Sequence, residues 1–347
     1  MKNVNGISNP LLLWYAENAR DLSWRKDPTP YKIWISEVIF QQTRIEAGKS
    51  YFERFIEKLP DVRALAAVSD EELLKLWEGL GYYRRAYNLK RAAQIVVNEL
   101  QSEIPGSFTE LRKLPGLGDY SAGAIASIAF RERVPAVDGN VMRIFARLLA
   151  DDRDIMLPVV KKEWTALIAQ LVPEENPGDF NQALMELGAL ICRPNAAPLC
   201  EKCPLCAYCK AYRIGAQTNF PVKGKTKEKK IEEKTVFVLR FHGKTALFKR
   251  PEKGLLSGMW EYYCAQEKLA HKEAEAFLKK SGIAFECIAR LIDSEHIFTH
   301  IKWKMAGYMV ELSKVPDLAG LVWADVNELS EVYAIPSAYG AYTNRKQ

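Results

Sequence analysis

Leu111-Arg112-Lys113-Leu114-Pro115-Gly116-Leu117-Gly118-Asp119-Tyr120-Ser121-Ala122-Gly123-Ala124-Ile125 decides how this chain is read. Pro115-Gly116 and Gly118 punctuate it, so the stretch reads as helix, glycine hairpin, helix. Glycine lets a backbone come close to a phosphate, and the helix that follows offers free amides and the positive end of its dipole. Ser121 to Ala124 are all small, which allows close packing behind the turn. A Pro-Gly-x-Gly turn alone is only a turn. Followed by such a helix, it becomes a helix-hairpin-helix candidate.

Outward from the hairpin, the first 215 or so residues read helical. Asn9-Pro10 opens a helix at Leu11, and residues 31–52 carry Ile33, Trp34, Val38 and Ile45 at helical spacing. Residues 70–77, 86–100, 120–130, 141–149, 164–171 and 181–192 are further helix candidates, and no strand stands out. From Lys223 to Lys234 the chain turns polar, with six lysines, three glutamates and no hydrophobic period. That reads as a solvated linker, with direct DNA contact as the alternative. Beyond it, 235–239 and 245–248 read as strands paired around His242-Gly243. Residues 268–280 read as a helix, and 301–311 and 321–323 as strands. The expected domains are therefore a mainly α domain over 1–215, a lysine-rich linker over 216–234, and a small α+β domain over 235–347.

Bulk properties agree with two domains. The 347 residues are 48% hydrophobic and 27% charged, enough for two real cores. The formal net charge of +6 suits a polyanionic partner. No basic-then-apolar leader opens the chain, and no run reaches the ~18 apolar residues of a membrane span. A soluble, cytoplasmic protein is expected. Five of the seven cysteines lie between Cys192 and Cys209, which reads as a metal site rather than a disulfide framework. Zinc accepts four cysteines, but such dense spacing after an apolar helix favours an iron–sulfur cluster. Spacing leaves two ligand sets open: Cys200, Cys203, Cys206 and Cys209 at every third position, or Cys192 with Cys200, Cys203 and Cys209.

Four motifs then fall in a telling order. They are Trp34-Ile35-Ser36-Glu37-Val38-Ile39-Phe40-Gln41-Gln42-Thr43, the hairpin, Val137-Asp138-Gly139-Asn140-Val141-Met142-Arg143, and the cluster beginning at Cys192. In this order the chain resembles the helix-hairpin-helix DNA glycosylases along nearly its whole length, and among them the adenine DNA glycosylases. The resemblance implies a 4Fe–4S cluster on Cys192, Cys200, Cys203 and Cys209, with Cys206 spare. One departure is that seven residues separate Cys192 from Cys200, where six is commoner.

Taken singly, Glu37 and Asp138 are each more often surface or capping acids; the motifs reverse that. Adenine leaves deoxyribose poorly as an anion, so its release needs one carboxylic acid kept protonated and one carboxylate kept charged. By resemblance Glu37 is the acid that protonates N7 and prepares the water. Burial among Trp34, Val38 and Ile39 would raise its pKa. Asp138 would stabilise or trap the oxocarbenium-like sugar, with Asn140 orienting it. Tyr120 stands where lyase relatives carry the lysine that forms a Schiff base, which implies little or no strand cleavage.

The base must leave the duplex to be reached. The resemblance places Trp24, Arg25, Phe40, Gln182 and Met185 around the extruded adenine, with Phe40 where leucine is more common. Gln42, Thr43, Leu80 and Tyr82 fall on the opposite-base side, and Gly116 and Gly118 at the phosphates. Residues 254–261 and 296–303 resemble the family's Nudix-like C-terminal domain. No acidic Nudix box lies between Gly254 and Gly282, so nucleotide hydrolysis is not expected. Phe298, Thr299 and His300 match the element that detects 8-oxoguanine. Thr299 replaces serine but keeps the hydroxyl.

The expected activity is excision of adenine opposite 8-oxoguanine, and of adenine opposite guanine, from double-stranded DNA by a monomer. Two alternatives are a glycosylase-lyase acting on oxidised pyrimidines and a non-catalytic DNA-binding protein of the same fold.

Overall fold

The computed structural model describes residues 4–194, 196–224 and 228–343. The chain divides into two compact units, one of residues 1–67 with 88–225 and one of residues 68–87 with 226–347.

The first unit is helical. Helix Gly139–Leu149 is central and buried from Val141 to Leu148, Arg143 and Arg147 included. Helices Ser8–Asn18, Pro158–Leu171 and Pro177–Leu190 contribute Leu11, Trp164, Phe180 and Leu184 to the core it fills. Caps start the helices where the sequence supplies them. Thr29 accepts from the Lys32 amide ahead of Pro30, and Asp138 accepts from the Val141 amide. The hairpin closes between a single helical turn, Phe108–Leu111, and helix Asp119–Phe130. Gly116 sits at φ +83°, and a side chain there would also strike Asn88. At Gly123 an added Cβ would lie 2.3 Å from the Pro135 carbonyl, so the small-residue helix does pack against the chain leading to Asp138.

Residues 31–52 differ from expectation. The segment is two helices, Pro30–Ile39 and Ile45–Lys58, broken at 40–44. Phe40 turns back onto the second helix, where a Cβ at Gly48 would sit 2.7 Å from its ring. Gln41 ties the break to helix Asp119–Phe130 through a 2.8 Å bond from Nε2 to Ser121 Oγ. The apolar spacing runs through the break, so periodicity alone joined what the ring of Phe40 separates.

The second unit is built on one sheet. Its strands are β1 (Lys230–Phe241), β2 (Lys244–Lys249), β3 (Trp260–Glu261), β4 (Tyr263–Ala265), β5 (Phe285–Arg290), β6 (Ser294–Ile297), β7 (Ile301–Leu312) and β8 (Leu321–Ala324). The main order is β3-β2-β1-β7-β5, with β4 on β1, β6 on β7 and β8 on β2. β1 and β7 are parallel, Val236 opposite Gly307; β1 and β2 form an antiparallel hairpin. His242 and Gly243 both have positive φ, 47° and 77°, as a two-residue hairpin turn requires. Val236 and Val238 enter one core with Trp303 and Tyr339, while Phe237 and Leu239 enter another with Leu278 and Tyr308. Alternation along β1 thus feeds two buried faces.

Two expected boundaries shift. β1 begins at Lys230, so the last part of the expected linker is strand, held by a register that runs from Lys230 opposite Ile301. Residues 68–87, expected inside the helical domain, group by contact with the second unit. Lys75 Nζ donates to the Leu329 and Tyr333 carbonyls, and the Ile335 amide donates to Glu78 at 2.9 Å. These contacts join residues more than 250 positions apart, which no local pattern reveals.

Candidate active site

Glu37 lies on the last turn of helix Pro30–Ile39, whose neighbouring side chains Ile33, Trp34, Val38 and Ile39 are buried. Tyr120, on helix Asp119–Phe130, donates its hydroxyl to Glu37 Oε2 at 2.8 Å and lies 3.6 Å from Met185 Sδ. Burial pushes the Glu37 carboxyl up to about 7; the nearby charge of Asp138 adds to the rise, while the Tyr120 bond and Arg25 oppose it. Asp138 is also an N-cap. Its Oδ1 accepts from the Val141 amide at 2.8 Å and its Oδ2 from Asn140 Nδ2 at 2.7 Å. Burial raises its pKa too, against those hydrogen bonds and the charge of Arg143. One carboxyl is therefore held near neutrality with a single hydrogen bond, and the other is pinned by several donors that favour its charged form.

The expected pocket residues of the first unit gather near this pair. Trp24 stacks on Phe40 at 4.6 Å between ring centres, and Arg25 Nε donates to Gln182 Oε1 at 2.9 Å. Gln42 and Thr43 lie in the break between helices 30–39 and 45–58. Leu80 and Tyr82 fall in the second unit. There Tyr82 is 54% exposed at φ +49°, between Gly81 and Tyr83, although a side chain seldom adopts that backbone. Arg85 holds the turn by donating to the Leu80 and Gly81 carbonyls. In the same unit Phe298, Thr299 and His300 form the turn between β6 and β7, where Phe298 packs edge-on against Trp303. Thr299 Oγ1 donates to the Tyr82 hydroxyl at 3.4 Å.

All five clustered cysteines line one pocket, together with apolar side chains such as Ile144, Leu187 and Leu205. Burial pushes the Cys203 thiol up to about 12, and Cys192, Cys209 and Cys200 lie near enough to add to the effect. Cys206 acts in this way on Cys200. Among the described residues no three His, Cys, Asp or Glu side chains converge on a point that would hold one metal ion.

Two arginines to which the sequence assigned no role connect this pocket with Asp138. Arg143 donates to Asn140 Oδ1 at 2.9 Å and to the Cys192 carbonyl at 2.8 Å. Arg147 donates to Cys192 Sγ at 3.1 Å. Both are nearly buried. The signal was available, since two arginines four residues apart share one face of an otherwise apolar helix. Glu186, Arg20 and Asn181 were also missed. Asn181 is wholly buried, bonds Ser127 and the Val134 carbonyl, and accepts from the Ala136 amide, fixing the strand of chain just before Asp138.

The fold and site define a base-excision DNA repair protein of the helix-hairpin-helix class. Residues 35–170 match the HhH-GPD superfamily base excision DNA repair protein, and residues 235–344 match the NUDIX domain. A thermostable thymine-DNA glycosylase of known structure superposes with a TM-score of 0.56 at 28% identity, over 61% of this chain and 98% of its own. An adenine DNA glycosylase of Buchnera aphidicola (subsp. Schizaphis graminum) is 35% identical over 88% of each chain. One from Arabidopsis thaliana is 35% identical over 85% of this chain, which spans only 55% of that relative's length. The chain belongs to the adenine DNA glycosylase family.

Proposed function

We propose that this chain removes adenine lying opposite 8-oxoguanine, and opposite guanine, in duplex DNA and leaves the strand uncut. The observation that carries the reading is the buried Glu37 carboxyl, held up to about 7 and bonded to Tyr120 beside Asp138. Protonated Glu37 gives its proton to adenine N7. The C1′–N9 bond then breaks, and its electron pair leaves with the neutral base. The Asp138 carboxylate, held by the Val141 amide and Asn140, stabilises or traps the sugar cation. Glu37, now ionised, takes a proton from water as that water adds to C1′, which restores the acid. Tyr120 has no amine, so no Schiff base forms and the strand is not cleaved by that route.

Trp24, Arg25, Phe40, Gln182 and Met185 would hold the extruded base, and Gly116 and Gly118 would let the hairpin backbone meet phosphates. Gln42, Thr43, Leu80 and Tyr82 would enter the duplex beside the opposite base, and Phe298, Thr299 and His300 would read 8-oxoguanine. The exposed Tyr82 ring and the Thr299 hydroxyl bonded to it support that assignment.

The cysteine cavity fits a 4Fe–4S cluster. Its donors are five thiols in an apolar shell, the soft ligand set that such a cluster takes. Cys192, Cys200, Cys203 and Cys209, which act on one another, would hold it. When bound it would order this loop and take no part in bond breaking.

The test uses purified protein and duplexes carrying adenine opposite 8-oxoguanine, guanine or thymine, plus one carrying thymine glycol. Strand breaks that need hot alkali, fastest opposite 8-oxoguanine, are expected. Breaks at thymine glycol without alkali would make the protein a lyase and overturn the reading.

A further inference from the structure

Glu186 is a carboxylate buried to 1% exposure on an apolar helix, with no place in the chemistry above. Two arginines share it. Arg20 binds through Nε at 2.8 Å and through a second nitrogen at 3.2 Å, and Arg25 binds Oε1 at 2.7 Å. Arg25 is fixed on every side. It donates to the Arg20 carbonyl at 3.2 Å, lies over the Tyr15 ring at 5.6 Å, and gives its Nε–H to Gln182 Oε1. Glu186 and Gln182 stand four residues apart on helix Pro177–Leu190, so both face Arg25 from one side.

Arginine has donors and no acceptor, so this contact settles which way the Gln182 amide points. Its oxygen turns to Arg25, and its amide nitrogen meets no acceptor among the described residues. Arg25 is therefore less a free cation reaching for a base than the rod that turns Gln182. Its charge is balanced from behind.

We infer that Glu186 is a positioning residue for base reading: by gripping Arg20 and Arg25 together it holds Gln182 with its amide nitrogen free to donate to an acceptor on the edge of an extruded purine. The inference rests on the proposal that adenine is released at this site. Removing the Glu186 charge frees the Arg25 fork, and Gln182 then turns either end to the base.

The experiment measures single-turnover adenine release by the full chain as wild type, Q182A, E186Q and the double variant. Binding to a duplex with a stable abasic analogue, which offers no base to read, is the structural control. Each single variant is expected to slow release about tenfold, and the double variant no more than either alone, because both break one interaction. Abasic-duplex affinity should stay within about twofold of wild type. With 1-deaza- and 3-deazaadenine as substrates, the analogue that cancels the Q182A penalty must also cancel that of E186Q.

Penalties that multiply to about a hundredfold, or an abasic-duplex affinity that falls as far as release, would overturn the role of Glu186. Should E186Q not fold, R25K replaces it in the same cycle, since lysine keeps the charge but cannot span Glu186 and Gln182 together. Wild-type protein inert on adenine would instead sink the parent reading, and this one with it.

Discussion

Glu37 holds its proton more tightly than an ordinary carboxyl because its surroundings oppose its charge more than they favour it. Burial outweighs the single hydrogen bond from Tyr120, and the carboxyl rises from an ordinary value of 4.5 to about 7. As the proposed proton donor it would work only while protonated, so single-turnover adenine release should be level below that value and fall about tenfold per pH unit well above it. The Tyr120 bond favours the ionised form, so Tyr120→Phe should raise the pKa and move the fall to higher pH. A pH–rate series on both proteins checks this, and a fall that stays put or moves down would show that the bond does not tune the acid. At this scale the sequence was informative where a motif carried the residue, as for Glu37, Tyr120 and Asp138. It was silent on Glu186 and Asn181, whose partners Arg20, Arg25, Val134 and Ala136 stand 45 to 166 positions away.

The hairpin was legible as an element because glycine and small residues are demanded there by geometry, at Gly116 by φ and at Gly123 by a carbonyl 2.3 Å away. The cysteine loop was legible by spacing, but what shapes it was not. Among the described residues its regular structure is two single 3₁₀ turns, Cys200–Lys202 and Cys206–Tyr208, and one helical turn, Lys210–Arg213. So short a set of turns has little cooperative stability of its own. A bound cluster would supply it, with Arg143 and Arg147 transmitting order toward Asp138. Purified protein is expected to carry iron and inorganic sulfide in equal amounts. Stripping them with an oxidant and chelator should open residues 192–209 to protease and slow adenine release, while helix content hardly changes. Zinc alone in the purified protein, or unchanged protease resistance after stripping, would refute this.

Across the molecule, composition and patterning indicated two domains, and by contacts residues 68–87 group with residues 226–347 rather than with the helices on either side of them in sequence. Residues 68–87 complete the second unit through Lys75, Glu78 and an ion pair from Lys249 to Glu71 at 2.8 Å. Gly258 is bare where Tyr87 lies, since a Cβ there would sit 2.3 Å from its hydroxyl. A fragment of residues 228–347 is therefore expected to unfold at lower urea than the same fragment with residues 68–87 joined by a flexible linker. Each buried polar group left without its partner costs about 1–3 kcal/mol. Equal midpoints would mean that the segment adds nothing to the unit.

The divided origin of that unit also sets an order of events on the ribosome. After Tyr87 has been made, about 140 further residues must follow before the first strand of its sheet begins. At roughly 5–20 residues per second that is a wait of about 7–28 seconds. Throughout it the early segment waits for a surface that does not yet exist. The turn bearing Tyr82 is among the earlier parts of the chain to be synthesised and among the last to find its final neighbours.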